Sequence, residues 1–326
     1  LKPRVLITKK LSETHRNYLN AYCDCEFLDQ ETISRSELFA KVGDIEGLLQ
    51  VGHLIDEALL SKAPKLKVVS NVSVGYNNFD VGAMKTYGVL GTNTPGVLDD
   101  TVADLVFGLI LSVARRISEL DRYVKEGQWK SADLEELYGI DVHHKTLGII
   151  GLGRIGQKIA KRAALGFDMN VIYYNRSRNK DAEVAYDATY KSMDAVLEES
   201  DFIVLMVPLT EETKNFIGLE AFQRMKKSAI FINASRGATV DEEALFKAVH
   251  NGMIKGAGLD VFREEPVSPQ NPLLTHPRIV TIPHIGSATH ATRELMAKLA
   301  CENLVMALKG ETPPSVVPEL KTLIKL

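Results

Sequence analysis

The stretch TLGIIGLGRIGQKIAKRAALG (146–166) constrains this chain more than any other. An apolar run ends in Gly151, Gly153 and Gly156, and a helix-forming stretch follows. Three glycines at that spacing are weak evidence alone. Between a strand and a helix they specify a geometry: a tight turn at Gly151, close approach of a ligand to the backbone at Gly153, and close strand–helix packing at Gly156. The start of the helix offers unpaired N–H groups and partial positive charge, which suits a pyrophosphate. The segment predicts a dinucleotide site in a Rossmann βαβ unit.

The surroundings repeat the theme. Short β-branched runs alternate with amphipathic stretches, which argues for an α/β chain with parallel sheets. RVLIT (4–8), EGLLQV (46–51), LKVVSNVSV (66–74) and GVLGTNT (88–94) read as strands of a first small domain, with a helix from Ser12 to Asn20. Pro95-Gly96 then breaks the chain. Asp99, Asp100 and Thr101 are candidate caps for a helix that turns polar near Arg115 and Arg116 and ends around Gly127. The stretch from Trp129 to His144 has little periodicity and reads as a loop or arm. Beyond the glycines, NVIYYN (170–175), DFIVLMVP (201–208), SAIFINAS (228–235), GAGLDVF (256–262) and IVTIPH (279–284) are nearly continuous apolar runs, as in a sheet covered on both faces. A last helix spans roughly Thr289 to Lys309.

Composition excludes several classes of function. A chain of 326 residues suggests two domains, at roughly 100–200 residues each. A net charge of −3 gives no reason to expect nucleic acid or an anionic membrane as partner. No apolar run is long enough to span a bilayer, and no secretory signal opens the chain. Cys23, Cys25 and Cys301 have no neighbouring His or second Cys pair to complete a metal site, so they read as structural thiols in a reducing cytoplasm.

The strand after the glycine loop ends in Asn175-Arg176-Ser177-Arg178. A site that prefers NAD places Asp or Glu about 20 residues beyond the glycines, on the ribose 2′-hydroxyl. Here Asn175 stands near that place and two arginines follow. An acid would repel a 2′-phosphate, whereas arginine pairs with it through charge-assisted hydrogen bonds. Asn175, Arg176, Ser177 and Arg178 therefore predict NADPH over NADH. Pro208, at the end of another strand, completes this set of cofactor positions.

Hydride transfer between a dinucleotide and a carbonyl carbon requires an acid to protonate the oxygen, and a cation can hold an anionic substrate and polarise that carbonyl. Arg236, in NASRG (233–237), and His284, in PHIG (283–286), follow apolar strands, where open α/β sheets bind ligands. A carboxylate bonded to His284 would favour its charged form and fix its ring. In DVFREEP (260–266), Glu264 and Glu265 are both eligible on the residues alone.

With SVGYNNFD (73–80), GLGRIGQKIA (151–160), NASRGATVDEEAL (233–245), AGLDVFREEP (257–266) and PHIGSAT (283–289) in this order, the chain resembles the D-isomer-specific 2-hydroxyacid dehydrogenase family across nearly its whole length. VHHKTLGIIGLGRIG and PHIGSATH are most similar to the bacterial glyoxylate/hydroxypyruvate reductases, which also reduce 2-ketogluconate. The resemblance implies two doubly wound parallel-sheet domains, with a Rossmann cofactor domain (101–287) inserted into a flavodoxin-like substrate domain (1–100 and 288–326). It implies a cleft between them, a homodimer, and a dimerisation arm at about 118–145. It makes Arg236 the carboxylate anchor and His284 the proton donor in reduction, with Glu265 rather than Glu264 as its partner. Backbone N–H groups of Val74 and Gly75 would hold the substrate carboxylate. Thr101, Gly153, Arg154 and Ile155 would contact the cofactor, Asp260 its carboxamide, and Ala234 and Gly286 the nicotinamide ring. No metal is expected.

The expected activity is NADPH-dependent reduction of glyoxylate, hydroxypyruvate or 2-keto-D-gluconate to the D-2-hydroxy acid. A dinucleotide-sensing, corepressor-like module on the same fold is the rival. Asn77 stands where the family commonly has Asp. Pro283 precedes the histidine where formate dehydrogenases have Gln, and the chain shows no C-terminal regulatory module of the phosphoglycerate dehydrogenase kind. Both points argue against those relatives.

Overall fold

The computed structural model describes residues 1–28, 33–131 and 135–324. The chain divides into two compact units, residues 1–98 with 289–326, and residues 99–288. Elements are numbered in chain order.

The first unit holds a parallel sheet of β1 (Arg4–Ile7), β2 (Asp24–Phe27), β3 (Gly47–Gln50), β4 (Val68–Asn71) and β5 (Leu90–Thr92), ordered β2-β1-β3-β4-β5. That order is the flavodoxin-like doubly wound arrangement. β2 is absent from the sequence reading because DCEF carries no apolar run; it is an edge strand with no fully buried residue. Helices α1 (Glu13–Tyr22), α2 (Arg35–Lys41), α3 (Glu57–Leu60) and α4 (Val81–Tyr87) connect the strands. Most start on a capping side chain: Ser34 in a capping box, Asp56 and Asp80 each accepting a backbone N–H. The last long helix, His290–Leu308, starts on Thr289, which accepts the N–H of Thr292 at 3.2 Å. It packs on β3 and β4, where Ser70 donates to the Ala300 carbonyl at 2.8 Å.

The second unit holds seven parallel strands: β6 (Thr146–Ile150), β7 (Asn170–Tyr174), β8 (Thr189–Tyr190), β9 (Phe202–Leu205), β10 (Ile230–Asn233), β11 (Gly256–Leu259) and β12 (Ile279–Thr281). Their order is β12-β11-β10-β9-β6-β7-β8. The chain runs outward from β6 through β7 to β8, then returns to β9 on the other side of β6. This is the Rossmann order, and its reversal lies between β6 and β9, where such sheets bind ligands. Every residue of β9, β10 and β11 is buried, which accounts for their uninterrupted apolar sequence. Phe222 meets Phe231 edge to face in this core, with ring centres 5.4 Å apart.

Two sequence expectations are corrected. The helix expected to run on to about Gly127 is two helices, α5 (Asp99–Ala114) and α6 (Ile117–Lys125). Arg116, at φ 58°, turns the chain between them, and its guanidinium is held by Glu119 at 2.6 Å and by the Glu136 carbonyl. Asp99 and Asp100 are not caps ahead of α5 but lie in its first turn, where acids complement the helix dipole. There they reach α7 (Arg154–Phe167): Asp100 lies 3.0 Å from Lys158 and 3.1 Å from Arg162, and Asp99 lies 3.5 Å from Arg154. Of the arm expected at about 118–145, residues 132–134 lie outside the described residues. The rest carries a short 3-10 turn at Glu135–Leu137.

Candidate active site

The dinucleotide loop follows β6. Gly151 has φ +103°, and a Cβ there would sit 2.6 Å from the Met206 carbonyl oxygen, so both conformation and space require glycine. Its N–H donates to the Tyr174 carbonyl at 3.0 Å, tying the turn to β7. A Cβ on Gly153 would meet nothing within 4 Å; the backbone there is open. Gly153 is also the N-cap of α7 and supplies no side-chain cap. An open glycine beside an uncapped helix start fits a diphosphate, which would approach the N–H groups of Arg154 and Ile155.

The end of β7 is occupied differently from the sequence reading. The Asn175 side chain is turned into the glycine loop: Oδ1 accepts the Leu152 N–H at 2.7 Å and Nδ2 donates to the Leu152 carbonyl at 3.2 Å. Asn179 adds a second donor to that carbonyl at 3.0 Å. Arg178 pairs side-on with Glu183, through Nε at 3.0 Å and Nη2 at 2.6 Å. Hydrogen bonds from Arg178 and then from the Tyr173 hydroxyl hold the Glu183 carboxyl down at about 2. Arg176 is exposed, 3.9 Å from Glu212. An open hollow of about 510 Å³ is lined by Leu152, Asn175, Ser177, Arg178, Lys180 and neighbouring residues. Lys180 is a second cation on that rim, and the sequence reading missed it.

The reacting end is built from three strand ends. After β10, Asn233 Oδ1 accepts the Ser235 N–H at 3.0 Å while its Nδ2 donates to the Arg236 carbonyl at 3.1 Å. Thr239 donates to the same carbonyl at 2.6 Å. These bonds fix the backbone of Arg236, whose half-buried guanidinium donates to the Ser235 carbonyl at 2.7 Å. Burial lowers its pKa, against the charge of Glu265, but guanidinium stays a cation.

Glu265 Oε2 lies 2.6 Å from His284 Nδ1, and Oε1 accepts the Phe262 N–H at 3.0 Å. Burial alone would raise this carboxyl; the bonds from His284 and Phe262, with the charges of His284 and Arg236, reverse it and hold Glu265 below the usual carboxylate range. His284 itself has φ 50°, which turns the chain sharply just beyond β12. Asp260, only 1% exposed, secures the turn: its two oxygens accept the N–H groups of Ile285 at 2.7 Å and Gly286 at 3.0 Å. Burial nevertheless leaves the Asp260 pKa raised. Its carboxylate thus braces the histidine loop, a role its sequence position did not suggest.

The structure brings together Arg236, Glu265, His284, Asp260 and Gly286. Ala234 is buried at the end of β10, Thr101 is half-buried in the first turn of α5, and Pro208 is exposed beyond β9. Val74 and Gly75 lie in the other unit, on the turn that leaves β4.

A family profile described as D-isomer specific 2-hydroxyacid dehydrogenase, NAD binding domain, matches residues 107–286. The chain belongs to the D-isomer specific 2-hydroxyacid dehydrogenases. It is 46% identical to glyoxylate/hydroxypyruvate reductase B of Shigella flexneri serotype 5b over 321 residues, covering 97% of this chain and 98% of that one. It is 47% identical to the Klebsiella pneumoniae protein of the same name, covering 98% and 100%. Among solved structures, the NADPH-dependent glyoxylate/hydroxypyruvate reductase of Sinorhizobium meliloti, in complex with NADP and malonate, superposes with a TM-score of 0.86 at 30% identity, covering 98% of each chain. This dehydrogenase is therefore an NAD(P)-dependent oxidoreductase. Among the described residues, no helix is long and apolar enough to cross a membrane.

Proposed function

We propose that this dehydrogenase reduces glyoxylate, hydroxypyruvate and 2-keto-D-gluconate to the D-2-hydroxy acids, with NADPH preferred over NADH. The observation that carries the reading is the 2.6 Å pair of His284 Nδ1 and Glu265 Oε2 beside Arg236. The names of the Shigella and Klebsiella relatives supply glyoxylate and hydroxypyruvate as substrates. The arginines at 176 and 178 support NADPH, as does the NADPH-dependent Sinorhizobium reductase with its bound NADP.

In this mechanism Arg236 pairs with the substrate carboxylate and polarises the keto oxygen, with the N–H groups of Val74 and Gly75 as further anchors. The glycine loop orients the dinucleotide, whose reduced nicotinamide supplies the hydride when bound. Glu265 holds the proton on Nδ1 of His284 and stabilises the imidazolium. Nε2 then faces the substrate and gives its proton to the carbonyl oxygen as charge develops there. In the oxidative direction the same nitrogen takes the proton back. The reading includes a homodimer built on the arm, the substrate domain at 1–100 and 288–326, and a cytoplasmic location for the three free cysteines.

The test is a panel of kcat/KM values for the three keto acids and pyruvate with both cofactors. Turnover of glyoxylate and hydroxypyruvate with NADPH supports the reading. Tight dinucleotide binding without turnover of any keto acid overturns it in favour of a sensor.

A further inference from the structure

We propose that Asn93 and Asn71 are positioning residues that aim the N–H groups of the Val74–Gly75 turn at the substrate carboxylate. The inference rests on the keto-acid reading above and adds how the first unit holds its anion. The turn leaves β4 as Ser73-Val74-Gly75-Tyr76, and three successive carbonyls are each held from within the same unit. The Ser73 carbonyl accepts the Thr94 N–H at 2.9 Å. The Val74 carbonyl accepts Asn93 Nδ2 at 2.8 Å, and the Gly75 carbonyl accepts Asn71 Nδ2 at 2.8 Å.

A trans peptide is planar, so its N–H points opposite to its C=O. Pinning the carbonyls of Ser73, Val74 and Gly75 therefore turns the N–H groups of Val74, Gly75 and Tyr76 to the other side. Among the described residues, none of these three donates to a protein acceptor. Backbone donors held this way without a partner form a concave nest for an anion. A carboxylate that accepts two of them satisfies donors the protein leaves open.

Both asparagines are themselves fixed. Asn71 is 1% exposed, and its Oδ1 accepts Gln50 Nε2 at 2.9 Å; Gln50 in turn accepts the His53 N–H at 2.8 Å. Asn93 is 8% exposed; its N–H donates to the Ser315 carbonyl at 3.2 Å and its carbonyl accepts Asn303 Nδ2 at 3.0 Å. A buried amide held through its oxygen or its backbone has its Nδ2 already aimed. Alanine at either place frees the carbonyl, and the peptide is no longer held with its N–H outward.

The test uses the full-length enzyme with NADPH. Asn93→Ala and Asn71→Ala are expected to raise the KM for glyoxylate about tenfold or more, the loss of one well-aimed bond to a charged group, while the KM for NADPH stays within about twofold. Asn93, the less buried of the two, serves if Asn71→Ala does not fold. A folded Asn93→Ala enzyme with an unchanged KM for glyoxylate overturns the proposal. A second arm does not depend on turnover: oxamate is titrated into the wild type with NADP, and the amide resonances of Val74 and Gly75 are followed. These resonances should move, with a midpoint raised about tenfold in Asn93→Ala. If they stay still while others respond, the proposal fails. A wild type that turns over no keto acid defeats the proposed function instead.

Discussion

A Cβ on Gly237 would lie 1.8 Å from the carbonyl carbon of Phe262, so the loop carrying Arg236 and the loop carrying Glu265 meet backbone to backbone. No flexible side chain stands between them to give way. Gly237→Ala must push the two loops apart by more than an ångström, and overpacking of this kind typically destabilises by about 1–3 kcal/mol or more. The expected outcome is a lower Tm together with a fall in kcat, because the guanidinium and the carboxylate move relative to each other. Thermal unfolding and steady-state kinetics on the same preparation check both. A normal Tm with normal kcat would show that the contact is not needed.

The pair of Glu265 and His284 makes a second prediction. His284→Ala removes the proton donor and should reduce kcat by about 10²–10⁴. Glu265→Gln keeps a similar shape but loses the charge that stabilises the imidazolium, so kcat should fall by about tenfold or more while the KM for NADPH is nearly unchanged. Single-turnover measurement of reduced-nicotinamide consumption separates this loss in chemistry from product release. Wild-type rates in either variant would remove the assignment.

Much of this site was legible in the sequence because its signals are local. Gly151 needs a positive φ, the apolar run before Arg236 is a buried strand, and the run before His284 is a half-buried edge strand. What escaped notice is long-range or polar. β8 has two residues, too few for a periodicity. Arg116 ends α5 without a Gly or Pro to announce the break. Asn71, Asn93 and Asn233 act through side-chain bonds to backbone, which leave no motif. Asn175 stands where the sequence places a ribose contact, yet its amide engages Leu152; position along the chain does not say which way a side chain turns. Likewise Glu264 and Glu265 are equally eligible on the residues alone; the family resemblance selects Glu265, and in the structure its carboxylate lies 2.6 Å from His284.

Cofactor choice should depend on Arg176 and Arg178. A charge-assisted bond to a phosphate contributes about 1.5–3 kcal/mol. Replacing either arginine by Ala should therefore lower kcat/KM for NADPH by about ten- to a hundredfold and leave the NADH value nearly unchanged. Arg178 enters this test with two of its N–H groups on Glu183 and the Nη1 edge of the guanidinium outside that pair. If both cofactors lose equally, the arginines serve the loop and not the 2′-phosphate.

Glu183 itself offers a pH test. Its carboxyl sits at about 2 in the folded chain because Arg178 and Tyr173 donate to it, whereas an unfolded glutamate titrates near 4.3. The folded value is depressed, so the unfolded chain takes up the proton first as pH falls. The stabilisation is fully present above the unfolded value and disappears as pH drops through the folded one. Glu183→Gln should then have a lower Tm than wild type at pH 7, and the gap should close by roughly half or more at pH 3. The measurement is the Tm difference between the two proteins from pH 7 to pH 3. A gap that is absent at pH 7, or constant across the range, would mean that the ion pair does not hold this loop. Because the same carboxylate fixes Arg178, a Glu183→Gln enzyme that shows this pH-dependent gap and also a narrower NADPH preference would tie cofactor choice to the Tyr173–Glu183–Arg178 network rather than to the arginine alone.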